Sequence, residues 1–272
     1  MNPNLQMQIA QRVDRYLDDF SIARKLLLVD RIYQNFSKTF KAIDDTFVKT
    51  DKDYLLYENK SVNPHVFISK QKDLSIKQKV NNQKHIPTFI VQKNLEKFED
   101  LEEQKLFTKM SLEYLNNEND NIIKLIKIAF AINTLKYSKL NIIKNNSLKA
   151  SLNEANRLIK NKIDTKETIK YNVLCNLSLN LSDLHDKIEV DDLGYNSYNN
   201  NTFITSTDID PGELYVMPQN DLLGVMPIIE DIIITSDKDK LITSYEIGMS
   251  ILNIKNIVKI KIPTIKPVIL GC

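Results

Sequence analysis

Three histidines, two cysteines and several adjacent acidic pairs are the residues of this chain whose types could do chemistry. His65, His85 and His185 stand apart from one another, with neither HExxH nor HxxxH spacing, so no helical pair of imidazoles is offered to a metal. Cys175 and Cys272 make neither metal-ligand spacing nor a disulfide framework, although a single bridge stays open. Cys175 lies in an alternating apolar run, where a buried thiol is the expectation. The acidic pairs Asp18-Asp19, Asp44-Asp45 and Glu102-Glu103 read as solvated faces. Asp191-Asp192, beside Gly194 in a polar stretch, is the pair that could take a cation. No GxGxxG, GxxxxGK[ST] or GxSxG occurs, and the first glycine is Gly194, which excludes a phosphate-cradling loop after an early strand. The expectation is a non-enzyme with no catalytic residues, no cofactor and no metal.

Composition narrows the class. The 272 residues are 42% apolar, enough for a sizeable core in one large domain or two modest ones. Lys plus Arg (37) against Asp plus Glu (35) leaves +2, too balanced for electrostatics to dictate nucleic acid or an anionic membrane as the main partner. No apolar run reaches the roughly 18 residues of a membrane span, and the first residues lack the apolar core of a signal peptide, so a cytoplasmic location is expected. All five glycines (Gly194, Gly212, Gly224, Gly248, Gly271) fall late in the chain. The glycine-free part fits long helices and extended arms, and the rest fits short strands with tight turns.

The elements that would position any site follow from periodicity. Ile9, Val13, Leu17 and Phe20 form one helical stripe. After Ser21, a plausible N-cap, Ile22, Leu26, Val29, Tyr33, Phe36, Phe40 and Ile43 recur at alternating spacings of four and three, predicting a helix to about residue 46. That helix either packs on its own core or docks on a neighbouring subunit. Residues 48–92 alternate β-prone runs (Tyr54–Tyr57, Val66–Ser69, Thr88–Gln92) with lysine-rich stretches, and Pro64 and Pro87 exclude helix. So polar a two-stranded excursion is marginal alone and needs a partner surface or disorder. Helical spacing returns at Leu95, Phe98, Leu106, Met110 and Tyr114, then at Ile122, Ile126, Ala129 and Phe130, with a break expected at "NNEND" (116–120). Leu148, Leu152, Ala155, Ile159 and Ile163 predict a further helix. Ile169, Tyr171, Val173 and Cys175 predict a strand with one face buried, and "LSDLHD" a short helix. Beyond the polar loop 186–201 come strand-like runs punctuated by Pro211-Gly212 and "TSDKDK".

The order of pieces from about 147 to 260 resembles the C-terminal part of the tailed-bacteriophage major capsid protein fold, which encapsulin shell proteins share. A helix "SLKASLNEANRLIKNK" leads to the strand "ETIKYNVLCN", the short helix "LSDLHD", then "FITSTDIDPGELYVMPQNDLLGVMPIIEDIIIT" and "TSYEIGMSILNIKNIVKI". Ser206, Ile209, Pro211, Gly212, Asn253 and Val258 stand at matching positions, with Pro211 and Gly212 as the fold-signature turn. "QND" replaces the family's glycine-bearing turn, and Lys255 stands where proline is common. The resemblance implies a mixed α+β, phage major-capsid-like fold with an N-terminal helical arm (1–47), an extended hairpin (48–92), a spine helix and peripheral domain (93–146), an axial domain (147–240) and return strands with a C-terminal tail (241–272).

It further implies a structural shell protein that self-assembles into pentamers or hexamers of an icosahedral capsid. Asp191, Asp192, Tyr195, Asn196 and Tyr198 would lie at the capsomer axis, and Ile22, Leu26, Val29, Tyr33, Phe36 and Phe40 on an inter-subunit arm. Its partners would be further copies of itself, packaged double-stranded DNA by non-specific contact, and portal or scaffolding proteins, with no membrane. The location would be a virion capsid assembled in a bacterial cytoplasm. The alternatives are an encapsulin-type nanocompartment shell around a cargo enzyme, and a soluble α/β enzyme or binding protein with its site in 186–230.

Overall fold

The computed structural model describes residues 2–30, 47–49, 54–58, 65–69, 88–99, 102–137, 141–163, 168–219, 222–237, 240–251 and 254–262. The protein is mixed α+β and divides into two compact units, Met1–Ala129 with Asn220–Ile254, and Phe130–Gln219 with Lys255–Cys272.

Unit 1 begins with α1 (Pro3–Phe20), whose first turn is capped by the Asn2 side chain accepting from the Asn4 amide at 2.9 Å. Its stripe Ile9, Val13 and Leu17 is fully buried. Ser21 ends α1 and starts α2 (Ile22–Leu26): its amide donates to the Leu17 carbonyl at 2.8 Å while its hydroxyl accepts from the Arg24 amide at 3.4 Å. The N-cap at Ser21 therefore stands, and the N-terminus is two helices.

The long helix expected from Ile22 is corrected. It stops at Leu26, and β1 (Leu28–Asp30) pairs in parallel with Val225–Pro227 of β12 (Gly224–Asp237). Leu26-Leu27-Leu28-Val29 is apolar on every side, so its period cannot distinguish helix from strand, and the open edge of β12 supplies the ladder that decides.

Among the described residues the excursion carries three antiparallel strands rather than two, β2 (Phe47–Lys49), β3 (Tyr54–Glu58) and β4 (His65–Ser69). Next comes β5 (Thr88–Glu99), twelve residues antiparallel to β13 (Lys240–Ile251). Leu95 and Phe98, expected on a helix, are strand residues paired with Ser244 and Leu241. Two apolar residues three apart are a weak helical signal, and a twelve-residue ladder outweighs it. The sheet order is β1-β12-β13-β5.

Helix α3 (Glu103–Tyr137) runs 35 residues without the break expected at 116–120. Leu106, Met110, Tyr114, Ile122 and Ile126 are fully buried. Tyr114 joins the helix to the sheet, donating to the Thr243 hydroxyl at 2.6 Å with its ring 5.2 Å from that of Tyr245.

Unit 2 is a seven-stranded sheet with order β6-β14-β11-β7-β10-β9-β8. Its strands are β6 (Ile142–Lys144), β7 (Tyr171–Cys175), β8 (Glu189–Val190), β9 (Asn196–Tyr198), β10 (Asn201–Thr205), β11 (Glu213–Pro218) and β14 (Val258–Lys261). Helix α4 (Leu148–Lys160) starts where the Ser147 hydroxyl accepts from the Ala150 amide at 3.3 Å and buries Leu148, Leu152, Ala155 and Ile159, as their spacing requires. All five residues of β7 are buried, on both faces rather than the one expected, because the strand lies centrally between β11 and β10. Asn172 is accommodated there because its side-chain oxygen accepts from Gln219 at 3.1 Å. "LSDLHD" forms a 3-10 helix at Ser182–Lys187.

Candidate functional site

The stretch expected as a polar loop is an ordered β-hairpin. β8 and β9 pair Glu189 with Ser197 and Val190 with Asn196. Asp191 organises the tip: its carboxylate accepts from the amides of Leu193 at 3.0 Å and Tyr195 at 2.8 Å, and its own amide donates to the Tyr195 carbonyl at 3.0 Å. Gly194, at φ +85°, closes the turn in a conformation that side chains resist. Asp191 thus spends its charge on local amides. Asp192 is exposed, Tyr195 and Asn196 are half-buried, and Tyr198 is buried, so the hairpin brings the five residues together but does not present them alike. The Tyr198 side chain packs within unit 2. Burial, then the Asp191 charge, raises the Tyr195 phenol above its ordinary pKa. The hairpin edge still exposes Val190 and Leu193.

Pro211 and Gly212 are the central residues of a turn closed by the Glu213 amide donating to the Asp210 carbonyl at 3.0 Å, with Gly212 at φ +78°. The Gly212 carbonyl accepts from the Ile262 amide at 2.8 Å, which fastens the turn to the chain beyond β14. Ile209 is buried, its carbonyl accepting from the Asn176 side chain at 2.5 Å, while Ser206 donates its amide to the Cys175 carbonyl at 2.9 Å. Val258 is fully buried opposite Val216. Ser206, Ile209, Pro211, Gly212 and Val258 therefore share one structural task, holding the crossover from β7 and β10 to β11 and β14. Asn253 lies outside the described residues.

Of the residues expected on an inter-subunit arm, Ile22 and Leu26 are buried within unit 1. Val29 is half-buried in β1, and Tyr33, Phe36 and Phe40 lie outside the described residues.

Beside Ile22 lies a group that the sequence reading missed. Arg24, 6% exposed, donates through Nε to both Glu118 oxygens (3.3 and 3.1 Å), through Nη1 to the Asp14 carboxylate and carbonyl (2.8 and 3.3 Å) and to Asp18 (2.8 Å), and through Nη2 to Glu118 (2.9 Å) and the Tyr245 hydroxyl (2.7 Å). Tyr245 in turn donates to Glu118. Burial alone would lower the guanidinium pKa, but Glu118 above all outweighs it and the value rises. Burial, then the Glu118 charge, holds the Tyr245 phenol well above its ordinary value, and burial pushes Tyr114 up to about 12. One signal was available: the stripe Leu106, Met110, Tyr114, Ile122, Ile126 passes through Glu118 at the missing step, and an acid on an apolar stripe calls for a buried cation.

In unit 2, Glu213 bridges Lys259 and Lys261, and the Lys259 ammonium sits 5.1 Å from the Tyr215 ring centre. Burial would raise the Glu213 pKa, but its hydrogen bonds to the two lysines win and lower it. Lys162 donates to the Asn141 side chain and the Lys255 carbonyl, each at 2.8 Å, and burial lowers its pKa. The Cys175 thiol is buried and pushed up to about 12, so it is inert as expected. Cys272 and His85 lie outside the described residues.

Among the described residues no group of three or more His, Cys, Asp or Glu could hold a metal, and no helix is long and apolar enough to cross a membrane. Open hollows lie among the described residues. One of about 690 Å³ in unit 1 lies between α1 (Met7, Ala10, Asp14) and β12 (Asp231, Ile232, Ile233), and a polar one of about 650 Å³ in unit 2 includes Lys149, Lys187 and Glu189.

No family model matches the chain, and no curated protein matches it. Solved structures do. A virus-like particle from Pyrococcus furiosus aligns over 95% of this chain and 98% of its own at 11% identity and a TM-score of 0.43. The icosahedrally averaged capsid of the jumbo bacteriophage PhiKZ aligns over 63% of this chain and 41% of its own at 12% identity and a TM-score of 0.40. A structure of Mycobacterium phage Patience aligns over 97% of this chain and 87% of its own at 8% identity and a TM-score of 0.39. Phage and virus-like-particle structures are what this chain is similar to.

Proposed function

We propose that this chain is the subunit of a self-assembling protein shell, a major capsid protein of the tailed-phage type, whose work is binding free energy rather than catalysis. The observation that carries the reading is the crossover of unit 2. Helix, strand, 3-10 helix, hairpin, strand and Pro211-Gly212 turn follow in the order of the capsid resemblance, and Ile209 and Gly212, two of the residues quoted for it, bond the turn to Asn176 and Ile262. The β8–β9 hairpin, with exposed Val190, Asp192 and Leu193, is the surface this reading sets at the axis of a pentamer or hexamer. Shell affinity would come from many modest contacts repeated by closed symmetry. Packaged double-stranded DNA, portal or scaffolding proteins and assembly in a bacterial cytoplasm belong to the same proposal.

A second reading, a nanocompartment shell around a cargo enzyme, is favoured by the hollow beside α1, whose apolar wall and acidic Asp14 and Asp231 would hold a cargo segment. Size-exclusion chromatography with negative-stain electron microscopy on the purified chain tests both. Closed particles, or discrete pentamers and hexamers, are expected. Nucleic acid inside favours the capsid and co-purified enzyme the compartment, whereas a stable monomer across salt and concentration overturns the shell reading.

A further inference from the structure

Helix α3 contains a segment that should not be helical by itself. Five of the six residues from Asn116 to Asn121 are Asn or Asp, which compete for backbone hydrogen bonds and are poor helix formers. The sixth, Glu118, is an acid with no exposed surface. The helix nevertheless continues through them. What meets this segment is the elbow between α1 and α2. The Asn119 side-chain oxygen accepts from the Ile22 amide at 2.8 Å, one of the free amides at the start of α2, and Glu118 accepts a bifurcated bond from Nε of Arg24 and a further one from its Nη2. The weakest turn of the long helix is thus the one whose side chains are occupied by the N-terminal elbow.

We propose that the α1–α2 elbow is a conformational splint: its contacts at Arg24 and Ile22 hold α3 continuous through 116–121, and when the elbow is withdrawn the helix opens at that turn while its flanks stay helical. The device has two discrete states. In the closed one Glu118 is neutralised by Arg24 and Asn119 caps α2. In the open one Glu118 gains water, the Asn and Asp side chains bond their own backbone, and the helix divides into the two segments that periodicity alone describes. The groups facing Arg24 come from three elements, Asp14 and Asp18 on α1, Glu118 on α3 and Tyr245 on β13, so the elbow and the helix share one set of bonds and must change together. The inference does not depend on whether the chain builds a shell.

Hydrogen exchange read by mass spectrometry on the full chain tests it. In the wild type, the amides of 118–124 should be protected as well as those of 106–112. In R24M, exchange in 118–124 should quicken about tenfold more than in 106–112, a local opening rather than global unfolding. Adding N116A/D120A at two exposed helix positions should restore protection without restoring the elbow. If R24M does not fold, D14N/D18N leaves the Arg24–Glu118 pair in place and should show the same local loss at smaller size. Equal acceleration of both windows, no acceleration, or loss of protection that N116A/D120A leaves unchanged would overturn the splint.

Discussion

The two units handle charge in opposite ways. Unit 1 places a guanidinium and a carboxylate in its interior, with Arg24 and Glu118 both out of water. Unit 2 keeps its central strand apolar but for Asn172 and sets its ion pairs at the border, where Lys259 and Glu213 retain some exposure and Lys261 retains much. A buried pair contributes little net stability against an apolar pair of equal volume, yet half of one is severely destabilising. A border pair is worth little either way. What unit 1 gains is therefore direction: an Arg bonded to acceptors on four residues fits one arrangement of α1, α2, α3 and β13, whereas an apolar contact would tolerate several. Unit 2 obtains its uniqueness from strand order and from the two positive-φ glycines, Gly194 and Gly212.

The largest effect expected from this contrast is at Arg24. R24M should destabilise the chain by about 3–5 kcal/mol, because Glu118 is left buried without a cation. R24M/E118M should recover most of that loss, and K259M in unit 2 should cost about 1 kcal/mol or less. Denaturant titration of the four proteins checks it, and similar losses for R24M and K259M would erase the distinction between the units.

Leu174→Ala probes the other solution. Leu174 has no exposed surface in the central strand β7, so about 2–5 kcal/mol should be lost through the cavity. Hydrogen exchange should show loss of protection in β7, β10 and β11 and not in α3. A loss shared equally by α3 would mean that the units unfold as one.

How far sequence could see differs between the units for the same reason. In unit 2, α4 was legible because Leu148, Leu152, Ala155 and Ile159 keep a clean period and Ser147 caps them. The Pro211-Gly212 turn was legible because turn chemistry is local. The hairpin at 189–198 was not, since strands of two and three residues carry no period. In unit 1, α1 and the Ser21 cap were legible, but α3 was read as two helices because its polar run was judged by composition, when Glu118 and Asn119 are satisfied by residues about a hundred positions away. The strand at Leu28–Asp30 was hidden likewise, because its partner, β12, lies far along the chain. Local signals carried the elements; for the ionic centre they offered Glu118 on an apolar stripe, and its partner Arg24 came only from long range.

A smaller effect is expected at Gly212. At φ +78°, G212A should cost about 1 kcal/mol, and the loss should confine itself to the joint between β11 and β14, where the Gly212 carbonyl accepts from Ile262. Thermal unfolding gives the size and amide exchange at Val258–Ile262 the location. The same substitution at Gly194, where an added Cβ meets nothing within 4 Å, carries the positive-φ strain without any steric contact, so its cost should not exceed that of G212A.

The smallest effect separates the border pair of unit 2 from the buried centre of unit 1 by pH. Glu213 has a folded-state pKa below its ordinary value, because its bonds to Lys259 and Lys261 outweigh the burial that would raise it. A carboxyl lowered on folding adds stability that is present above its unfolded pKa and is lost as pH falls through the folded one. Stability should therefore fall on acidification below about pH 4.3, the ordinary range of a glutamate, and E213Q should flatten that part of the profile while leaving the neutral region nearly unchanged. Lys259 supplies the opposite limb: burial would lower its pKa, but Glu213 and Tyr215 raise it, so its contribution is complete below about pH 10.4 and fades as pH rises through the raised value. Urea titration across pH, on wild type and E213Q, reads both limbs. If E213Q leaves the acid limb as steep as in the wild type, acid sensitivity does not come from the border of unit 2.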